Sequence, residues 1–247
     1  VSMPTSVTPG AARPSMVATR APSWTSASDH PERRCRVSPT HTLAPVDAGL
    51  LAALSEACST IGARATDRLA GSHDASHYQL TPRAVATARD AAEVGRLLAT
   101  PRDRGLPVTF RSGGTSLSGQ AGTDGILIDT RKNFRRIDVF DDGRRARVQP
   151  GATMRAVNAR LARHGTKLGP DPASEIACTI GGVVANNSSG MSCGTHANTY
   201  QTLESAVLVL ASGTVLDTGA PDAAEILRER EPEIYAGLER LRDRVRE

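Results

Sequence analysis

Aromatic residues are scarce. Trp, Tyr and Phe make up 3% of the 247 residues, so a core has to be built from Ala, Val, Leu and Ile. The few aromatics are not interleaved with basic residues, as a stacking platform for single-stranded nucleic acid would require. Long apolar runs are also missing. None approaches the ~20 residues that span a bilayer, which excludes a transmembrane segment. The four cysteines, Cys35, Cys58, Cys178 and Cys193, form no C-x-x-C pair, so neither a zinc knuckle nor an iron–sulfur site is suggested. No secretory signal is legible, and free thiols in a reducing compartment are expected. Excess charge is small. The net charge is +4, and most of it comes from Arg13, Arg20, Arg33, Arg34 and Arg36. The rest of the chain is nearly neutral and gives no sign of a nucleic-acid partner.

A hydrophobic content of 39% is enough for one large or two small domains. Residues 1–45 are rich in Pro, Ser, Thr, Ala and Arg without apolar periodicity, and read as a disordered tail. A transit peptide would need an amphipathic face that this stretch lacks. Order is expected from Asp47, where Leu50, Leu51, Leu54 and Ala57 recur at helical spacing and Gly62 ends the run. Residues 83–89 read as a strand, and Asp90 with Glu93 as a capping box. A helix carrying Val94, Leu97 and Leu98 follows, then a strand from Pro107. That strand–helix–strand unit favours a parallel pair. Residues 125–129 form a further buried strand. Residues 136–140 and 146–149 read as a hairpin over Asp141-Asp142-Gly143-Arg144. Thr153 caps a helix stopped by Gly165. A second hairpin pairs 205–211 with 214–217, and a capped start at Asp222 leads into a helical end. The class is α+β, with one domain over 46–220 split into subdomains of about 46–130 and 131–220. Residues 221–247 form a helical segment leading toward a further C-terminal part. Its stripe of Ile234, Leu238, Leu241 and Val245 is explained either by such a part or by packing back onto the second lobe.

The stretch that organises the rest is Val108-Thr109-Phe110-Arg111-Ser112-Gly113-Gly114-Thr115-Ser116, running on through Gly119 and Gln120. A short apolar strand enters a loop of Gly, Ser and Thr, whose successive N–H groups can converge on an anion. The loop is neither a Rossmann fingerprint, since no helix follows, nor a Walker loop, since it has no Lys. Alone it could be an ordinary surface loop. Two further clusters change that reading. Gly169-Pro170-Asp171-Pro172-Ala173-Ser174 is stiffened by proline on both sides of Asp171. Thr179-Ile180-Gly181-Gly182 can open a short helix that ends in Asn186-Asn187-Ser188-Ser189-Gly190, and Gly194 and Thr195 follow. Three such clusters, each beside a strand or helix start, suit a long polar ligand lying across both lobes, and a dinucleotide has that size. His73, His77, His164 and His196 show no metal-ligand spacing. Asp171 reads as an orienting residue. Arg111 could meet a pyrophosphate or a surface acid.

These residues carry a resemblance. The stretch 107–120, Val148-Gln149-Pro150-Gly151, Asp171-Pro172-Ala173-Ser174, the run 179–190 and the run 204–217 occur in an order that resembles the FAD-binding PCMH-type domain of the vanillyl-alcohol oxidase/p-cresol methylhydroxylase superfamily. The chain looks most like its D-lactate dehydrogenase and glycolate oxidase branch. The resemblance implies two α+β subdomains with non-covalent FAD between them. It places Arg111, Ser112, Gly113, Gly114, Thr115 and Ser116 on the pyrophosphate, with Gly119 and Gln120 shaping that loop. It places Pro172, Ala173 and Ser174 at the flavin end, and Thr179, Gly181 and Gly182 along the isoalloxazine. Asn186, Asn187, Ser188, Ser189, Gly190 and Gly194 would complete the cradle. It implies no catalytic residue and no metal ligand here, because the substrate-binding cap of such proteins lies further on. An iron–sulfur cluster would belong only to a missing C-terminal part.

The implied activity is oxidation of a 2-hydroxy acid of the D-lactate or glycolate type by hydride transfer to FAD, with a quinone or iron–sulfur centre as electron acceptor. The alternatives are an isolated FAD-binding fragment without turnover, or a carbohydrate oxidase or cell-wall precursor reductase on the same fold. The expected location is the cytoplasm, with peripheral attachment to a membrane as an option.

Overall fold

The structure is a computed structural model that describes residues 2–6, 43 and 45–246. Its elements in chain order are β1 (Ser2–Ser6), α1 (Ala48–Ala57), β2 (Ile61–Gly62), α2 (Ala65–Ala70), β3 (Ala84–Ala86), α3 (Ala91–Arg102), β4 (Val108–Arg111), β5 (Ile126–Asp129), β6 (Ile137–Phe140) and β7 (Arg145–Val148). There follow α4 (Met154–Leu161), β8 (Lys167–Leu168), α5 (Ile180–Ala185), α6 (Thr199–Thr202), β9 (Val207–Val209), β10 (Val215–Asp217), α7 (Ala223–Arg230) and α8 (Pro232–Arg246). The mixture bears out the α+β class. Among the described residues no helix is long and apolar enough to cross a membrane.

The first lobe is a sheet of order β2-β3-β5-β4. Strands β3, β5 and β4 run parallel and β2 antiparallel. Ile126, Leu127 and Ile128 of β5 are almost fully buried, as expected for an apolar run covered on both faces. Helix α1 brings Leu50, Leu54 and Ala57, and α3 brings Val94 and Leu97, into the same core. Asp47 starts α1 by accepting a hydrogen bond from the Leu50 amide at 2.8 Å. That helix ends at Ala57, the last residue of the apolar spacing, rather than at the expected stop Gly62, which lies in β2. The strand expected over 83–89 shrinks to three residues.

The second lobe has a sheet of order β6-β7-β1-β8. Met154, Val157 and Leu161 of α4 and Ile180 and Val183 of α5 pack on its Ile137, Ala146, Val148 and Leu168. The β6–β7 turn holds Asp142 at φ 52°, ψ 42°, a left-handed conformation that Asp tolerates. Thr153 caps α4, accepting from the Ala156 amide at 3.3 Å. The β9–β10 hairpin packs in part on the first lobe. Val209 joins that lobe's core, and a Cβ on Gly95 of α3 would lie 3.1 Å from the Gly213 carbonyl oxygen. Ion pairs Arg145–Glu204 and Arg147–Asp217, both 2.7 Å, tie β7 to the hairpin region.

Three expectations are corrected. Ser2–Ser6, read as part of an unstructured tail, forms a strand; residues 1, 7–42 and 44 of that reading lie outside the described residues. Asp222 precedes α7 without capping it through its side chain. The α8 stripe does not fold back onto the second lobe: Ile234, Leu238, Leu241 and Val245 are 41–78% exposed.

Candidate functional site

Strand β4 delivers its last residue, Arg111, to the base of the Gly-rich loop. The guanidinium lies against the loop: a Cβ on Gly114 would be 2.8 Å from its Cζ. It donates to the carbonyl of His73 and, at 3.5 Å, to that of Ala121. Arg111 so braces the loop, and the charges of Asp74 and Asp129 act on it. The 73–76 segment completes the brace. The Ala75 amide donates to the Gly114 carbonyl at 2.9 Å, and Asp74 accepts from the Ala121 amide at 3.4 Å. Burial opposes ionisation of Asp74, but donors from Ser76 and Ala121 and the Arg111 charge outweigh it and hold the carboxyl below its ordinary value. The Ser116 hydroxyl donates to the Gln120 side chain at 2.9 Å. With the loop so held, the amides of Ser112, Gly113, Gly114, Thr115 and Ser116 donate to no acceptor among the described residues. Residues 112–116 are half-buried, so this run of donors is open to water or to a ligand.

The second wall follows β8. The turn 174–178 closes with the Ala177 and Cys178 amides both donating to the Ser174 carbonyl at 2.8 Å. Thr179 stands at the N-cap position of α5 and is 2% exposed, yet its side chain caps nothing. Its hydroxyl is hydrogen-bonded to that of Ser112 across the lobe boundary. The walls also meet at two glycines. A Cβ on Gly113 would lie 2.2 Å from the Ala177 carbonyl oxygen, and one on Gly182 would lie 2.6 Å from the Ser112 hydroxyl. Only glycine permits such approaches. Beyond α5, Asn187 adopts φ 44° and its side-chain oxygen accepts from the Tyr200 amide at 3.0 Å. Asp171 accepts from the Ser192 amide at 3.1 Å and from its hydroxyl. That fixes the loop carrying Ser189 and Gly190 and agrees with an orienting role.

Between the walls lies a cavity of about 370 Å³, near the low end of the roughly 300–1,000 Å³ usual for ligand sites. Of the residues singled out in the sequence, Ser112, Gly113, Gly114, Thr115, Ser116, Gln120, Ser174, Gly182, Asn186 and Ser188 line it. Arg111, Gly119, Pro172, Ala173, Thr179, Gly181, Asn187, Ser189, Gly190 and Gly194 are not among its lining residues. The sequence reading missed five lining residues: Phe110, Ala121, Cys178, Val183 and Ala185. Helix spacing could have found Ala185, which shares a face with Gly182 and Asn186. Burial pushes the Cys178 thiol upward in pKa, against the donor effect of Ser174, so the thiol stays neutral. Among the described residues no Lys, Arg, Asp or Glu lines the cavity. An anion there would be held by N–H dipoles and hydroxyls alone. Replacing Arg111 with Met should weaken binding of such an anionic ligand about tenfold, the effect of one charged hydrogen bond, although its side chain lies outside the cavity. A flavin fluorescence titration of the variant measures this.

Comparison with known proteins agrees with this geometry. The glycolate oxidase subunit GlcD of Escherichia coli (strain K12) is 35% identical over 147 residues, which is 59% of this chain and 30% of that protein. The D-lactate dehydrogenase of Archaeoglobus fulgidus is 34% identical over 135 residues, 53% of this chain and 29% of that protein. The chain thus spans about a third of the length of these relatives. Among solved structures, an alkyldihydroxyacetonephosphate synthase superposes with a TM-score of 0.63 at 19% identity, covering 76% of this chain and 38% of that one, a likeness of fold alone. The FAD binding domain family matches residues 82–219, a span that contains every residue lining the cavity, and the chain belongs to that family, with its PCMH-type α+β fold.

Proposed function

We propose that this chain is the FAD-binding part of an oxidoreductase that oxidises a 2-hydroxy acid of the D-lactate or glycolate type to the 2-oxo acid. One observation carries the cofactor assignment: the residues from Ser112 to Ser116, whose amides donate to no acceptor among the described residues, line a cavity between the two lobes. A pyrophosphate supplies the acceptors those donors lack. Ser112, Thr115 and Ser116 add hydroxyls, and the absence of a lining carboxylate leaves nothing to repel the anion. Ser174, Gly182, Asn186 and Ser188 would hold the part of the ligand that reaches the second lobe. Val183 and Ala185 give that end apolar contact, and Cys178 offers a neutral thiol, which suits non-covalent binding. When bound, FAD supplies the two-electron acceptor that oxidation of a C–H bond requires. The substrate class rests on the names of the sequence relatives. The residues that select and deprotonate the acid are not among those lining this cavity. A quinone or an iron–sulfur centre as electron acceptor, and a cytoplasmic location, go with the same reading.

The test is to incubate the chain with FAD, pass it through gel filtration and record the visible spectrum. Retained flavin bands are expected. Because dipoles hold the pyrophosphate, affinity should change only a few-fold between 0.05 and 1 M salt, about as expected where no side-chain charge is screened. A folded chain that emerges colourless overturns the cofactor assignment. If the whole protein, loaded with FAD, shows no bleaching of the flavin by any D-2-hydroxy acid under anaerobic conditions, the substrate class is wrong and the cofactor assignment stands.

A further inference from the structure

The second lobe holds a hydroxyl that its own helix does not use. Thr179 is 2% exposed and stands at the N-cap position of α5, yet its side chain caps no helix amide. Its backbone is fixed on both sides. The Cys178 carbonyl receives the Met154 amide at 3.1 Å, and the Ile180 amide donates to the Ala152 carbonyl at 2.9 Å. The side chain is therefore a rigid post at the lobe boundary. Among the described residues the Thr179 hydroxyl has one hydrogen-bond partner, the Ser112 hydroxyl of the Gly-rich loop. Ser112 reaches it over a hollow that Gly182 leaves open: a Cβ there would lie 2.6 Å from the Ser112 Oγ and 3.2 Å from its Cβ.

Two hydroxyls in contact share one hydrogen, and burial decides whose. A hydroxyl has one proton to donate and two lone pairs. If Ser112 donated, the Thr179 proton would be left in the interior without an acceptor, and a buried donor so stranded keeps its full desolvation penalty. If Thr179 donates, only lone pairs go unused, which buried oxygens tolerate better. The Ser112 proton is then free. Ser112 is half-buried and lines the cavity, whereas Thr179 does not. We propose that Thr179 is a positioning residue: it donates to the Ser112 Oγ and so aims the Ser112 O–H at the pyrophosphate of FAD. This rests on the cofactor reading above. Two O–H donors in series, ending on an anion, polarise each other in the same sense. The same bond ties the loop of the first lobe to the second.

The test uses the 247-residue chain, with flavin fluorescence titrations for the aim of the hydroxyl and thermal melts without FAD for the bond. Thr179→Val, close in shape but without a donor, should weaken FAD binding about tenfold, the effect of one hydrogen bond to a charged group. Thr179→Ser restores the donor and should bind within about twofold of the parent. Ser112→Ala should bind at least as weakly as Thr179→Val, and adding Thr179→Val to it should cost no further affinity, because both changes break one relay. The melts carry a change of sign. Thr179→Val alone should lower the melting temperature by removing a bond. In the Ser112→Ala chain, where the Thr179 proton has lost its acceptor, the same change should raise it. Thr179→Ser as weak as Thr179→Val, additive losses in the double variant, or a melting temperature lowered by Thr179→Val in both chains overturns the relay. A parent chain that retains no FAD overturns the cofactor reading and the aim of the Ser112 hydroxyl with it, while the melts still decide whether Thr179 donates to Ser112.

Discussion

Gly113→Ala should abolish practical FAD retention, with affinity falling by about two orders of magnitude, the usual consequence of a misplacement on the order of 1 Å in a binding constellation. The added methyl would lie 2.2 Å from the Ala177 carbonyl oxygen and 2.9 Å from both the Ala177 carbonyl carbon and the Cys178 Cα. All three are backbone atoms, so no side-chain rotation relieves the clash. Either the loop 112–116 or the turn 174–178 has to move. The turn is closed by two hydrogen bonds to the Ser174 carbonyl and anchored through the Met154 amide on the Cys178 carbonyl at 3.1 Å. The loop is the freer partner, because its amides have no protein acceptors, so it moves and the amides lose their convergence. Overpacking of this kind costs about 1–3 kcal/mol of stability as well, so the melting temperature should drop modestly while the fold persists. Gly122→Ala is the control: its nearest neighbour would be the Gly119 carbonyl oxygen at an ordinary 3.4 Å. If a flavin titration finds Gly113→Ala and Gly122→Ala equally competent, the close approach of the two walls is not what positions the loop.

The contrast between these two glycines shows what the sequence can and cannot disclose. Both stand in the same Gly-rich stretch and look alike as letters. Their difference arises from a residue more than sixty positions away, which no local pattern reveals. Features set by neighbours in the chain were legible. Asp90 and Thr153 cap α3 and α4 as read, α1 starts from Asp47, the Asp141–Arg144 turn joins two strands, and the Gly181–Gly182 pair opens α5. Residues from the Gly-rich loop, from Ser174 and from the run 182–188 line one cavity, because loops costly in entropy are informative in combination. Side-chain direction was not legible. Arg111, open in the sequence between a pyrophosphate and a surface acid, donates to the His73 and Ala121 carbonyls. Thr179 occupies a helix-cap position but bonds to Ser112. Phe110, 44% exposed, lines the cavity without any neighbouring letter to announce it. Strand β1 pairs with residues some 140 positions onward, and its Pro4 argues locally against a strand.

Glu93→Ala should be strongly destabilising, by about 1–3 kcal/mol, the range for leaving buried donors without their acceptor; its partner Arg89 is 63% exposed, so no buried charge is left behind. Glu93 is 1% exposed. It was read as the reciprocal half of a capping box with Asp90, but only half of the box forms. Asp90 receives the Glu93 amide at 2.8 Å. The Glu93 carboxylate instead accepts from the Arg89 amide at 2.9 Å and the Ser59 amide at 3.5 Å, and pairs with the Arg89 guanidinium at 2.8 Å. It thereby clamps the start of α3 to the segment between α1 and β2, and the Cys58 thiol donates to it as well. Burial alone would favour the protonated acid, but the donors from Arg89 and Ser59 and the Arg89 charge prevail and lower its pKa to about 2. In the unfolded chain the same group protonates near its ordinary value of 4.5. Above that pH the clamp contributes in full. As the pH falls toward 2 the unfolded state takes up the proton first, so acidification progressively favours unfolding. Glu93→Gln, which keeps the shape and an acceptor but cannot ionise, should therefore be less stable than the parent at pH 7 and approach it by pH 2.5. Urea melts of the two proteins across that range measure the difference. A constant gap would mean that the carboxylate's charge contributes nothing to the clamp, and that packing of the side chain alone accounts for its burial.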